Sequence, residues 1–263
     1  MKPFCLAASA MSLALALASH AAEPASPMPA GDLASRLSAL RQNGASYVRV
    51  KMEINGAKKE TLQLQIKERR SKNATDVVYQ VLWPKERKGE SVLLRKSGAR
   101  AASGSIFMPP NTLRTIDDLN APLLGSDLSY EDIVEDFFAW DRQVIVGTEA
   151  VGGVSCQILE SKPGKGDRSS YGSVRSWLDT RRTVPLRVEK YSGSGQLLRR
   201  IDTTRVVADA GHHIPANLTV RNTRSGSSTD LDGSRITHDV KYTDSDFTVD
   251  GIKAVATPRG STD

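Results

Sequence analysis

The sequence predicts a mainly β, α+β fold in which one antiparallel meander carries only two short helices. Three observations lead there. Apolar and polar residues alternate through most of the chain, turn-rich pieces separate the alternating runs at hairpin distances, and helical spacing surfaces in only two places. With 263 residues, 39% of them hydrophobic, the chain can bury a real core and is expected to form one large domain.

The first 21 residues are expected to be a signal peptide, with a basic start at Lys2, the apolar run "LAASAMSLALALA" and a small-x-small ending at Ser19, His20 and Ala21. No later stretch approaches the length needed to span a bilayer, so the mature protein is expected to be exported and soluble. Residues 22–30, "AEPASPMPA", hold three prolines without periodicity and read as a disordered linker. A single domain over 31–257 and a disordered tail over 258–263 complete the expected organisation.

Cys5 lies in the leader ahead of the apolar run, not where a lipid-modified cysteine follows a cleavage site. Cys156 is then alone and no internal disulfide forms. In "VSCQIL" it alternates with Val154 and Ile158, the pattern of a buried strand residue behaving as a small hydrophobe. The formal charge of +6 falls to +5 when Lys2 leaves with the leader. A solvated sheet face accounts for it best and transient contact with anionic membrane surfaces second, while nucleic acid is a poor partner for an exported chain.

In "GDLASRLSALRQNG" Asp32 can cap a helix running to Gln42, Leu33, Leu37 and Leu40 share a face, and Gly44 is the stop. From Tyr47 the period becomes two: Val48, Val50, Met52 and Ile54 point one way, Arg49, Lys51 and Glu53 the other, and Asn55-Gly56 turns the hairpin. "TLQLQIKE" continues the pattern, followed by "VVYQVLW", "SVLLR", "SIFM", "RQVIVGTE", "VSCQILE", "VRSWLD", "VPLRVEKY", "QLLRRIDTTRVV", "LTVRNT" and "ITHDVKYT". The count is about twelve short strands.

The acidic stretch "LLGSDLSYEDI" admits a metal site, an acid/base pair or helix punctuation. Punctuation explains most of it. Ser129 is a good cap with Asp132 three residues on, and Tyr130, Ile133, Phe137 and Phe138 form the apolar stripe of a second helix. Glu131 and Asp132 then sit in the first turn, where the helix dipole favours negative charge. No histidine partners these acids, and the spacing matches no calcium loop. His212 and His213 are neighbours on an expected turn, where their side chains diverge, so joint metal ligation is not expected. No GxSxG, HExxH, P-loop or GxGxxG pattern occurs, which points away from an enzyme and from any cofactor or metal.

The segments "IFMPPNTLRTI", "LLGSDLSYEDI", "SWLDTRRTVPLRVEKYSGSGQLLRRI" and "HIPANLTVRN" resemble, in order, the LolA-like outer membrane lipoprotein-sorting proteins of bacteria, over about Tyr47 to Phe247. The resemblance implies a periplasmic, incomplete antiparallel β-barrel of about eleven strands, with a few short helices as a lid over an apolar cavity. It also implies a carrier that binds acyl chains of a lipid or lipoprotein and ferries them from an inner-membrane transporter to an outer-membrane acceptor; a monomer is expected. The residues agree independently, because a large sheet with too few helices to cover it leaves apolar area that only an apolar ligand can fill.

Aromatic residues are only 5% of the chain, so their placement is informative. Phe107, Met108, Leu128, Tyr130, Ile133, Phe137 and Trp83 are the candidate cavity and lid residues; the alternative for each is plain packing of helix on sheet. Trp177 reads as a packing anchor. Two other classes stand beside the carrier: a lipoprotein or lipid sensor acting on a signalling partner, and a lipid hydrolase, for which no nucleophile and base can be assembled.

Overall fold

The alternating runs pair into one thirteen-stranded antiparallel sheet, seen in a computed structural model that describes residues 27–42, 44–98 and 100–255. Helix α1 (Ala30–Arg41) leads into β1 (Gly44–Asn55), β2 (Lys59–Ser71), β3 (Ala74–Trp83), β4 (Ser91–Ser97), β5 (Ser103–Met108) and β6 (Thr112–Thr115). A second helix, α2 (Tyr130–Val134), stands between two 3-10 turns, Leu123–Gly125 and Phe137–Ala139. Then come β7 (Arg142–Val151), β8 (Val154–Lys162), β9 (Ser173–Asp179), β10 (Val184–Tyr191), β11 (Leu197–Asp209), β12 (His212–Asn222) and β13 (Ser228–His238). Two more 3-10 turns, Asp244–Phe247 and Gly251–Lys253, follow the last strand.

The strand order is β6-β5-β4-β3-β2-β1-β13-β12-β11-β10-β9-β8-β7. Strands β1 to β6 form one ladder of sequential neighbours and β7 to β13 another. The ladders join where β1 lies against β13, with Met52 opposite Leu231. The edge strands β6 and β7 do not pair, so the barrel stays open. The chain between them, residues 116–141, must cross the sheet's inner face. Edge β7 is blunted by a bulge between Ile145 and Gly147, a device that discourages further strand pairing.

Alternation decides which side chains meet. Met52, Leu62, Leu64, Val77, Val92 and Leu94 point inward and pack against Leu123, Leu128, Tyr130 and Ile133 of the crossing segment. Gly104 lets that segment start close to the sheet, because a Cβ there would stand 2.6 Å from Ile116 Cδ1. A second inner cluster joins Leu33 and Leu37 of α1 and Phe137, Phe138 and Trp140 to Leu159, Val174 and Leu178. The outer face is also covered in part: Val78, Leu93 and Phe107 are buried beneath Phe247 and Ile252. A polar chain runs under this cover from Tyr47 Oη to Gln65 Oε1 (3.0 Å), from Gln65 Nε2 to Gln80 Oε1 (2.8 Å), and from Gln80 Nε2 to the Ile252 carbonyl (3.2 Å). Cys156 is a buried strand residue beside Trp177, Val184 and Leu186.

Several expectations are corrected. Among the described residues the strands number thirteen rather than eleven or twelve. The addition is β6, a four-residue edge, and β13 begins eight residues before the "ITHDVKYT" run suggested and ends at His238. Its first half, rich in Ser, Thr and Asp, reads as turn, but two neighbours, β1 and β12, hold it extended. The Asn55-Gly56 hairpin has a wider loop, since Asn55 pairs with Lys59. Helix α1 starts at Ala30 behind Pro29, and Asp32 is in its first turn rather than at the cap. The second helix stops at Val134, because Glu135 turns to extended backbone, leaving Phe137 and Phe138 on a separate turn. The end of the 22–30 linker is tied down, with the Met28 N–H on Gln157 Oε1 at 3.0 Å. The leader and the 258–263 tail lie outside the described residues.

Phe247 is fully buried between Tyr242, whose ring centroid is 5.1 Å away, and the outer face. Phe247→Ala is expected to lower stability by about 3–5 kcal/mol, read as a fall in urea midpoint at constant slope.

Candidate functional site

Four buried carboxylates fix the crossing segment to the sheet and loops around it, and this is what the acidic stretch is for. Asp127 accepts from Thr229 Oγ1 at 2.8 Å and from the Ser227 hydroxyl, while its carbonyl takes Arg199 Nε at 2.8 Å. Glu131 takes Ser169 Oγ at 2.5 Å and the Ser170 N–H at 3.0 Å. Glu135 takes Lys96 Nζ at 2.6 Å and Trp140 Nε1 at 2.9 Å. Asp132 completes the expected capping box with Ser129, and also receives Tyr171 Oη at 2.7 Å and Lys190 Nζ at 2.5 Å.

Asp132 is the central member, its side chain 1% exposed and that of Lys190 3%. Burial pushes its carboxyl up, but the Lys190 ammonium and the Arg199 guanidinium, 3.6 Å away, overcome that and hold it below the usual carboxylate value. The same burial, with Asp132 beside it, drives the Tyr171 hydroxyl far upward, so it stays a donor.

Beneath this lid lie two cavities of about 550 and 480 Å³. The first runs under α1 and the Phe137–Phe138 turn, against Thr203, Pro185 and Val188. The second runs along Val50, Met52, Leu64 and Ala216 beneath Leu128. They share walls at Val48, Ile214, Leu218 and Ile236, so together they make one branched trough. Arg70 lines the first branch, paired with Glu68, and its Nη2 donates to the Ile133 carbonyl of the lid at 2.7 Å. Burial, then nearby Arg41, lowers its pKa to about 9, so at neutral pH it still carries its proton.

Of the residues expected to face a cavity, Phe137 lines the first branch and Leu128 the second. Tyr130 and Ile133 pack lid onto sheet in the inner core. Phe107 points the other way, into the outer cluster under Phe247, because the inward position of β5 is Ile106. Met108 ends β5 outside both branches, and Trp83 is 49% exposed at the end of β3. Trp177 packs outside, stacked under Arg187 with its Nε1 on Glu149 at 2.8 Å. The walls that aromatic placement misses are aliphatic: Val48, Val50, Ile214 and Leu218, which the alternation of their strands marks as inward. His212 and His213 open β12 at the trough's rim, and among the described residues no group of three or more His, Cys, Asp or Glu could hold a metal.

A family model described as an uncharacterized protein, the DUF1329 family, matches residues 73–254. The chain is similar to the crystal structure of a DUF1329 family protein from Desulfovibrio piger, at 25% identity and TM-score 0.78, over 85% of this chain and 97% of that one. An outer membrane lipoprotein-sorting protein domain from Vibrio parahaemolyticus gives 21% identity and TM-score 0.75 over 86% and 98%. A LolA superfamily protein from Nitrosomonas europaea gives 19% and 0.67 over 85% and 99%. The latter two establish the shared fold. No curated protein matches the sequence.

Asp132→Asn leaves Lys190 and Arg199 facing no buried anion and is expected to cost about 3–5 kcal/mol in urea denaturation at pH 7. The folded carboxyl sits below its unfolded value of about 3.9, so its contribution is complete above that pH and lost as pH falls through the folded value. The gap between wild type and variant should therefore hold at pH 5 and close only in stronger acid.

Proposed function

We propose, for a chain that belongs to the DUF1329 family and shares the fold of outer membrane lipoprotein-sorting proteins, that it is a periplasmic carrier of acyl chains. It takes the chains of a lipid or lipoprotein from an inner-membrane transporter, buries them in the trough and delivers them to an outer-membrane acceptor. The observation that carries this reading is the branched, mainly apolar trough between sheet and lid. Apolar walls of this kind bind apolar guests, and each buried methylene contributes about 0.8 kcal/mol, so even part of a long chain offsets the freedom lost on binding. No helix among the described residues is long and apolar enough to cross a membrane.

The lid supplies the gate. Beside its apolar packing it is held by discrete polar anchors, and Arg70 ties its backbone at Ile133 from inside the trough. Cargo entry requires that tie to open, and no covalent step is needed at any stage.

Protein purified from its native host should release close to one equivalent of lipid on solvent extraction, identified by mass spectrometry; repeated absence of stoichiometric lipid would sink the carrier reading. Arg70→Leu removes a charged hydrogen bond of about 1.5–3 kcal/mol, so release of a bound fluorescent fatty acid should quicken roughly 10- to 100-fold. Hydrogen exchange should rise over residues 123–139 and stay constant in β1 to β3; an unchanged release rate would remove Arg70 from the gate.

A further inference from the structure

Five large apolar side chains stay exposed among the described residues, and three of them, Trp83, Leu113 and Val255, gather at one corner of the sheet's outer face. The register puts them there. The shift between Gln63 and Leu64 sets Trp83 opposite exposed Gln63, so its ring turns to the outer side instead of following Val81 into the inner core. Leu113 stands opposite Phe107, which already faces out. Gln80 gives its Nε2 to the Ala254 carbonyl at 3.1 Å, which sets Val255 beside the end of β3. Leu113 is three strands from β3, about 14 Å at ordinary strand spacing. Chain fills that gap: a Cβ on Gly89 would meet Pro109 Cγ at 3.1 Å, so the loop 84–90 abuts exposed Pro109 and Pro110.

The charge around this corner is of one sign. Lys85 and Lys88 are in the loop after Trp83, and the Arg87–Glu60 pair at 2.8 Å holds that loop beside the β1–β2 turn with Lys58 and Lys59. Arg114 adjoins Leu113. All five cations are exposed, and none makes an ion pair among the described residues. Glu86 is the one exposed acid of the loop, since Glu90 is taken by Arg87 at 2.5 Å. We propose that this corner docks on an anionic phospholipid surface, with Trp83, Leu113 and the two prolines at headgroup depth and the cations against the lipid phosphates. The amphipathic ring of tryptophan favours that depth, and lysine lays its stem along apolar surface while keeping its ammonium in water. Three apolar side chains ringed by lysine make a poor centre for a stable protein interface, from which lysine is depleted. Residues 256–263, which continue from Val255, carry no large apolar side chain that could cover the corner. The proposal is independent of the carrier reading, because none of these corner residues lines the trough.

The test mixes protein purified from its native host with vesicles of phosphatidylcholine, either alone or with phosphatidylglycerol added, and reads binding by flotation and by tryptophan emission. Trp140 and Trp177 are buried, so a blue shift on binding reports Trp83. Binding should require phosphatidylglycerol, weaken as salt rises and carry the blue shift. Each cation near an anionic leaflet raises affinity roughly fivefold, so the double variant Lys85→Gln, Lys88→Gln should bind about 25-fold more weakly. Trp83→Ser should lose the shift and bind roughly tenfold more weakly. Both are surface changes, and an unaltered urea midpoint verifies that the fold is kept. Equal binding to both vesicles, no binding to either, or binding that survives both variants overturns membrane docking. A dimer that Trp83→Ser abolishes, without vesicle binding, overturns it in favour of a second copy of the chain. Each of these results leaves the carrier reading to its own test.

Discussion

The buried ion pair between Asp132 and Lys190, with Arg199 alongside, is the contact on which the rest of the architecture depends. The crossing segment packs Leu123, Tyr130 and Ile133 into the inner core, but over the trough itself further apolar side chains would push into the space it covers. Charge avoids this, because an ion pair holds two surfaces at fixed separation through a few atoms. Such a pair adds little net stability over a hydrophobic substitute, yet either partner alone is costly, so it specifies one seating of the lid rather than a deeper energy well. Asp127, Glu131 and Glu135 repeat the device toward β13, the loop before β9, and β4. The segment is pinned on several sides while aliphatic walls below it stay unfilled.

The opposite face of the sheet is built for permanence. Phe247 and Ile252 close over Val78, Leu93 and Phe107, and Gln65 and Gln80 pass hydrogen bonds beneath that cover. Lys67, nearly buried there, has its pKa lowered by desolvation despite Asp246 at 3.7 Å. Fully bonded polar networks in low dielectric resist rearrangement. The outer side of the sheet is thus braced by its cover.

Much of this was legible in the residues, and the failures have physical causes. Period two in "YVRVKMEIN" correctly assigned Met52 and Ile54 to the interior, and Ser129 with Asp132 marked a real capping box. The distant meaning of the same acids was hidden, because Lys190 and Arg199 come near Asp132 only after β10 and β11 have folded beneath it. Phe107 misled because aromatic character says nothing about parity: one step along β5, Ile106 faces in and Phe107 out. Arg70 stood among many arginines, and only the register of β2, which turns Leu64, Ile66, Glu68 and Arg70 to one side, singles it out. The thirteenth strand was invisible because a four-residue edge made of Thr, Leu, Arg and Thr carries no local signal.

The seam between β1 and β13 has a kinetic consequence. Every other strand pairing joins neighbours in the chain, so the two ladders can zip from short loops, whereas Val48 and Ile236 must find each other across nearly the whole domain. Contacts of such sequence separation form late, since closing the intervening loop costs entropy before any pairing rewards it. Both branches of the trough have a wall on this seam. The chain therefore exposes two half-sheets with raw apolar faces until its last strand docks. A guest that occupies the finished hollow holds together the join that assembles last.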